Sequence, residues 1–125
     1  MSVTPLPETG ETRAPGCEVR FAMLSDTGTE RPDNEDSYGA HVEQATHVVV
    51  AVADGVSGVH GGEVASRTAI DETLREYRES PSTWGPAKRL YRAAQRANIE
   101  IHDRALVVPE LRGMSTTLTA LAIDG

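Results

Sequence analysis

Residues 46–54 read THVVVAVAD and residues 55–62 read GVSGVHGG. From Val48 to Ala53 the chain is unbroken apolar, rich in β-branched side chains and too short for an ordinary helix. Such a run without polar alternation predicts a strand buried on both faces, which demands cover from other elements on each side. The strand then meets an acid, Asp54, followed at once by Gly55. An aspartate at the carboxyl end of a buried strand stands where sheet proteins often bind ligands. Gly55 permits a sharp turn and leaves its carbonyl open to a ligand. The plainer alternative is a strand-ending turn in which Asp54 accepts a hydrogen bond from the loop.

The rest of the chain supplies candidate cover. From Glu63, the residues Ala65, Ala69, Ile70, Leu74 and Tyr77 recur at helical spacing, and Pro81 ends the pattern. A second helix is predicted from Pro86, with Leu90, Ala94, Ala97 and Ile101 on one stripe. EVRFAMLSD, residues 18–26, alternates Val19, Phe21 and Met23 against polar or small neighbours, as a half-buried strand does. STTLTALAI, residues 115–123, reads as a closing strand. Residues 1–16 are rich in Pro, Gly, Thr and Glu and read as a disordered leader, with order from Cys17 onward. The predicted order is β–loop–β–loop–α–α–β, one domain over residues 17–125. Its last strand stops at Asp124–Gly125 where a partner strand is expected, so the pattern reads as truncated. Aromatic residues are only 4% of the chain, so the core must rest on Val, Ala, Leu and Ile.

A net charge of −7 disfavours nucleic acid and anionic membranes and favours cations or basic partners. Cys17 is the single cysteine, which excludes an internal disulfide and agrees with a cytoplasmic location. No apolar run reaches membrane-spanning length, and no secretory signal pattern is visible. Against this background ERPDNEDSY, residues 30–38, crowds Asp33, Glu35 and Asp36 behind Arg31. Carboxylates so placed suit a hard cation such as Mg²⁺ or Mn²⁺, and a guanidinium fork suits phosphate oxygens. A solvated acidic turn with Arg31 as its local partner is the bland alternative. Glycines 55, 58, 61 and 62 before a helix also suggest a phosphate cradle. The spacing matches no dinucleotide fingerprint, however, and the P-loop lysine is missing. Asp54 and Glu63 would repel a bare phosphate, so a metal accounts better for both acids and glycines. His60 could act as an acid or base but reads as a solvated loop residue. His41, His47 and His102 have no ligand spacing. Ser66 and Thr68 read as packing residues, and Thr116 and Thr117 as ordinary strand formers.

Three stretches in order resemble one family. SDTGTERPDNEDSY, VADGVSGVHGGEVAS and GMSTTLTALAI are similar to successive motifs of the PPM-type, protein phosphatase 2C-like serine/threonine phosphatases, in particular the bacterial branch. The resemblance spans roughly residues 18–123. It implies an α+β fold, the N-terminal part of an α/β/β/α four-layer sandwich of two antiparallel sheets flanked by helices. It further implies a pair of Mn²⁺ or Mg²⁺ ions, with Asp54 bridging them, the Gly55 carbonyl on one, and Glu35 and Asp36 holding a metal or its water. Arg31 would bind the substrate phosphate. The implied reaction is hydrolysis of phosphoserine or phosphothreonine in a phosphoprotein by metal-activated water, without a phosphoenzyme. Val56 and Ser57 depart from the family's Met-Gly after Asp-Gly, and Ser115 stands where glycine is common, so no residue here takes the part of leaving-group acid. The family's catalytic domain is longer, and its later part supplies further aspartates to the metals. The alternative expectation is a non-catalytic interaction module on a truncated phosphatase fold.

Overall fold

The computed structural model describes residues 8–14, 17–44, 46–56 and 61–125. The apolar run becomes a central strand. Numbered in chain order, the strands are β1 (Glu8–Ala14), β2 (Cys17–Met23), β3 (Asp36–Gln44), β4 (His47–Asp54) and β5 (Thr119–Asp124), and the helices are α1 (Gly62–Glu79) and α2 (Pro86–Val107). β3, β4 and β5 form one antiparallel sheet in that order, and β1 pairs with β2 in a second, two-stranded antiparallel sheet. Both helices lie against the three-stranded sheet, α1 on β3 and β4, α2 on α1 and β5. This is the α+β arrangement of two antiparallel sheets and flanking helices that the motifs imply.

The core forms where β4 meets α1. Ala51 and Ala53 pack on Ala69 and Ile70, with Leu74, Ile101, Leu118 and Ala120 around them. Val49 packs with Tyr77 and Ala93. With so few aromatics, close backbone approach does the work of large side chains. At Gly39 of β3, an added Cβ would stand 2.6 Å from Leu74 Cδ1 and 2.8 Å from Ile70 Cγ2, so α1 sits directly on the strand there. α1 stops at Ser80, whose N–H reaches back to the Glu76 carbonyl before Pro81, and α2 opens with proline at its first position.

Four expectations are corrected. Residues 8–14, read as leader, form β1: a hairpin ladder satisfies the backbone without apolar side chains, and the Phe21 ring covers Gly10. Residues 1–7 lie outside the described set. β3 was missed because Gly39 and Ala40 break its alternation. It owes its existence to pairing with β4 and to the helix above it. β4 is not buried on both faces throughout. Val48 and Val49 are fully buried, but Val52 is 51% exposed, because among the described residues only the helical face of the strand's second half is covered. On α2 the inward stripe runs Arg89, Ala93, Ala97 rather than through Ala94, because Arg89 itself is buried.

Arg89 anchors a polar network at the end of the sheet where β3 turns into β4. Its guanidinium makes two hydrogen bonds to Glu43, at 2.7 and 2.6 Å, and others to Ser80 Oγ and the Tyr77 carbonyl, both at 2.7 Å. It also lies 4.1 Å from the centre of the Tyr77 ring. His47 Nε2 hydrogen-bonds the Tyr77 hydroxyl, and its Nδ1 faces Asp124 at 3.5 Å and Glu43 at 3.7 Å. Hydrogen bonds from Arg89 hold the Glu43 carboxyl below its ordinary value of 4.5, and burial pushes His41 below 6.5 against the opposing pull of Glu43.

Both shifts have the same sign for stability. The unfolded chain binds more protons than the folded one at His41 as pH falls through 6.5, and at Glu43 as it falls through 4.5. Urea midpoints should therefore lose these two contributions in acid, beginning near 6.5 and again below 4.5, where the raised Asp36 carboxyl works in the opposite direction. Arg89→Met should lower stability by about 2–3 kcal/mol at neutral pH, below the full loss for a broken buried pair because Glu43 is partly hydrated. It should also flatten the lower of the two acid steps. An unaltered profile below pH 4.5 would show that the pair contributes nothing.

Candidate functional site

The β3–β4 register sets Asp36 directly opposite Asp54, at the edge where both strands meet the loops. Like charges facing across a ladder are destabilising. The Asp36 carboxyl is held above its ordinary value of 3.8, first by loss of hydration, then by the charge of Asp54 and a hydrogen bond with it. The Arg31 guanidinium works in the opposite direction, and Glu35 adds to the repulsion. The entry into β3 is built for this placement. Asn34 Oδ1 accepts the Asp36 N–H at 3.0 Å and Asn34 Nδ2 donates to Ser25 Oγ at 2.7 Å, so the turn is stapled to the segment after β2.

Glu35, the residue before β3, points elsewhere. Its Oε1 lies 2.7 Å from the place a Cβ on Gly62 would occupy, so its carboxylate rests on the first residue of α1. A helix N-terminus favours a carboxylate. Gly55 is wedged between them: its N–H donates to the Glu35 carbonyl at 3.0 Å, and a Cβ on it would collide with the Gly62 carbonyl. Behind Asp54, the segment before β5 locks the backbone. The Asp54 N–H donates to Thr117 Oγ1 at 3.0 Å, and the Thr117 N–H donates to the Asp54 carbonyl at 2.9 Å. Val56 donates to the Ser115 carbonyl at 3.0 Å. Buried Ser37 and Ser66 share a 3.0 Å hydrogen bond that ties β3 to α1 one residue beyond Asp36.

Asp36, Asp54, Gly55, Glu35 and the charge of Arg31 therefore gather from two separate loops. Asp33 lies nearby, lining with Glu35, Glu63 and Glu110 a cleft of about 460 Å³ at the start of α1. Ser57, Gly58 and His60 lie outside the described residues. Thr117, an ordinary strand former by sequence, uses its hydroxyl to fix the Asp54 N–H. No local pattern announces that role, because the two residues meet through a pairing 63 positions apart. Asn34 was also passed over, although an Asn two positions before a strand acid is a legible turn signal.

Among the described residues, no group of three or more His, Cys, Asp or Glu side chains is arranged to hold a metal ion. The donors at this edge are all oxygens, and two of them are carboxylates set opposite each other, in repulsion when both are charged and hydrogen-bonded when one is protonated. That chemistry fits a hard divalent cation, of whose shell these oxygens would be only a part.

The protein phosphatase 2C family profile matches residues 29–125, which include all of these groups. The chain belongs to the protein phosphatase 2C family. It is 36% identical over 107 residues to the serine/threonine protein phosphatase PstP of Mycobacterium tuberculosis, covering 86% of this chain and 20% of that protein. To protein phosphatase PhpP of Streptococcus pneumoniae it is 30% identical over 120 residues, covering 84% of this chain and 43% of that one. The crystal structure of the PstP catalytic domain in complex with two manganese ions superposes with a TM-score of 0.66 at 34% identity, over 80% of this chain and 41% of that one. Stp1 of Staphylococcus aureus shares the fold, with a TM-score of 0.73 at 23% identity over 98% of this chain and 44% of that one. The chain thus spans between a fifth and about two-fifths of the length of these curated relatives.

The facing acids make a prediction that needs no catalysis. In a metal-free buffer, Asp54→Asn should stabilise the chain by about 0.5–1 kcal/mol by removing the cross-strand repulsion. Thermal melts would check this, and a clear loss of stability would mean the carboxylates are not in conflict. Gly55→Ala should cost about 3 kcal/mol or more, because the Gly62 carbonyl cannot yield without unwinding the start of α1. An unchanged melting temperature in that variant would contradict the close approach.

Proposed function

We propose that this chain forms part of a metal-dependent site that hydrolyses phosphoserine and phosphothreonine in proteins. The observation that carries the reading is the Asp36–Asp54 pair, set in register beside Glu35 and Gly55 and under the charge of Arg31. Asp54, Asp36, Glu35 and the Gly55 carbonyl are the groups that would hold the ions. Oxygen donors of this kind accept Mn²⁺ or Mg²⁺, and the manganese in the PstP crystal favours the former. When bound, such ions supply Lewis acidity toward phosphoryl oxygens and bring the pKa of a coordinated water toward neutrality.

The chain's own residues have distinct parts in this reading. Arg31 receives the phosphate oxygens of the phosphoprotein, as a planar fork suited to two of them. Asp36 and Asp54 would neutralise the cations, and Asn34 and Thr117 hold the backbone that carries those carboxylates through the Asp36 and Asp54 N–H groups. Glu35, its carboxylate against the start of α1, would order water around the ions. Hydrolysis of a phosphoprotein is a signalling step, and a cytoplasmic setting agrees with the lone cysteine. No helix among the described residues is long and apolar enough to cross a membrane. The charge of −7 supports a protein substrate over nucleic acid or an anionic membrane.

The decisive experiment grafts residues 29–125 in place of the matching segment of the M. tuberculosis phosphatase and follows phosphate release from a phosphothreonine peptide with Mn²⁺. Turnover should depend on the metal. It should vanish in Asp54→Ala, and kcat/KM should fall on the order of 100-fold in Arg31→Ala. An inactive but folded and Mn²⁺-binding graft would defeat the catalytic reading. Absence of Mn²⁺ binding as well would return the chain to the status of an interaction module.

A further inference from the structure

The negative charge of the chain is not evenly spread. Residues 80–99 contain Lys88, Arg89, Arg92 and Arg96 and not one acid, in a chain whose net charge is −7. Arg89 turns inward to Glu43, and the other three remain at the surface. Lys88 lies over the Trp84 ring, 4.0 Å from its centre. Arg92 and Arg96 are four residues apart on α2 and so share a face. Elsewhere on the helices Arg67, Arg75 and Arg104 each meet a carboxylate of their own helix. Among the described residues, neither Arg92 nor Arg96 has a carboxylate within ion-pair distance.

These cations border a groove of about 520 Å³ between α2 and the end of α1, lined by Trp84, Arg92, Gln95, Arg96, Ile99 and, on the α1 side, Glu76. Glu76 is the one acid in the lining; Arg75, 4.0 Å away, is held more closely by Glu72 and Glu79, so the cationic side of the groove is the α2 side. Ile99 is 48% exposed. The groove thus offers one aromatic and one aliphatic contact between two forked cations, a combination suited to an extended acidic segment with an apolar side chain. It lies roughly 20 Å along α1 from Gly62, at about 1.5 Å per residue, and is therefore separate from the carboxylate site.

We propose that this groove is a docking surface for an acidic segment of a partner protein. The concave shape suits a single chain. With charges screened beyond about 8 Å at physiological salt, a short segment in the groove meets chiefly the groove's own cations, whereas a bilayer or duplex is broad enough to face the acidic surface around it as well. The inference stands apart from the phosphatase reading, because nothing in it depends on metal or turnover.

Trp84 is the only tryptophan, so its emission reports the groove directly. The chain is titrated with a peptide of Asp, Glu and Leu, with the same peptide carrying Lys in place of the acids, and with phosphatidylserine vesicles. The acidic peptide should change Trp84 emission saturably, and its affinity should weaken with salt. In R92E/R96E the affinity should drop on the order of 10-fold or more, while R92K/R96K should retain most of it. Circular dichroism of the variants confirms that they are folded. Equal affinity in R92E/R96E, equal response to the Lys peptide, or a response to vesicles in place of the acidic peptide would each overturn the proposal.

Discussion

The register between β3 and β4 is the constraint on which the site rests. A strand ladder has a side-chain period of two, so a slip of one residue would turn Asp36 to the other face and leave Asp54 without its opposite. The register is held at both ends by different means. At the loop end, Asn34 caps the entry to β3 and Thr117 clamps the exit of β4. At the turn end, the bulge between Val42 and Gln44 sets Gln44 against His47, and Glu43 is gripped there by Arg89. α1 lies along the strands between the two, pressed onto Gly39 and carrying Ser66 to Ser37.

The two ends treat charge in opposite ways. Around Arg89 every strong charge has a partner: a buried guanidinium is answered by a carboxylate, a hydroxyl and a carbonyl. Desolvating an ion is tolerable only under that condition. At the other end Asp36 faces Asp54, with Glu35 beside them and a cleft that adds Asp33, Glu63 and Glu110. The same chain that satisfies a buried arginine completely leaves its acids in conflict at the mouth of the sheet. Stability alone would not select that arrangement, whereas a cation between the acids would turn the repulsion into a binding energy.

The legible parts of the fold were those in which one residue type repeats at a fixed period. β4 and α1 could be placed from apolar spacing, and Asp54–Gly55 from the abrupt end of that spacing. β1 and β3 could not, since Thr9, Gly10, Gly39 and Ala40 carry little apolar signal and are stabilised by what lies across or above them. Arg89 misled the reading of α2 for a related reason: a long cation in a helical pattern is taken as a solvent-facing residue until its carboxylate partner, 46 positions earlier, is known. The acidic site was visible as two separate clusters, and the motifs joined them. What no spacing could reveal was that Asp36, rather than Asp33 or Glu35, is the residue set against Asp54.

That distinction bears on how the five groups divide their work. Glu35 is drawn to the positive end of α1, and its backbone carbonyl receives the Gly55 N–H. It therefore couples the strand-end acid, the glycine turn and the helix in one contact. Gly55 tolerates no side chain because the Gly62 carbonyl fills the space where one would go. A shift in the helix start would move Glu35, and with it the turn that aims the Gly55 carbonyl. The glycines of this loop thus serve close backbone approach more than flexibility. They let the two strand ends and a helix N-terminus approach closely, with the Asp36–Asp54 pair on one cavity and Glu35 on the adjoining cleft at the start of α1.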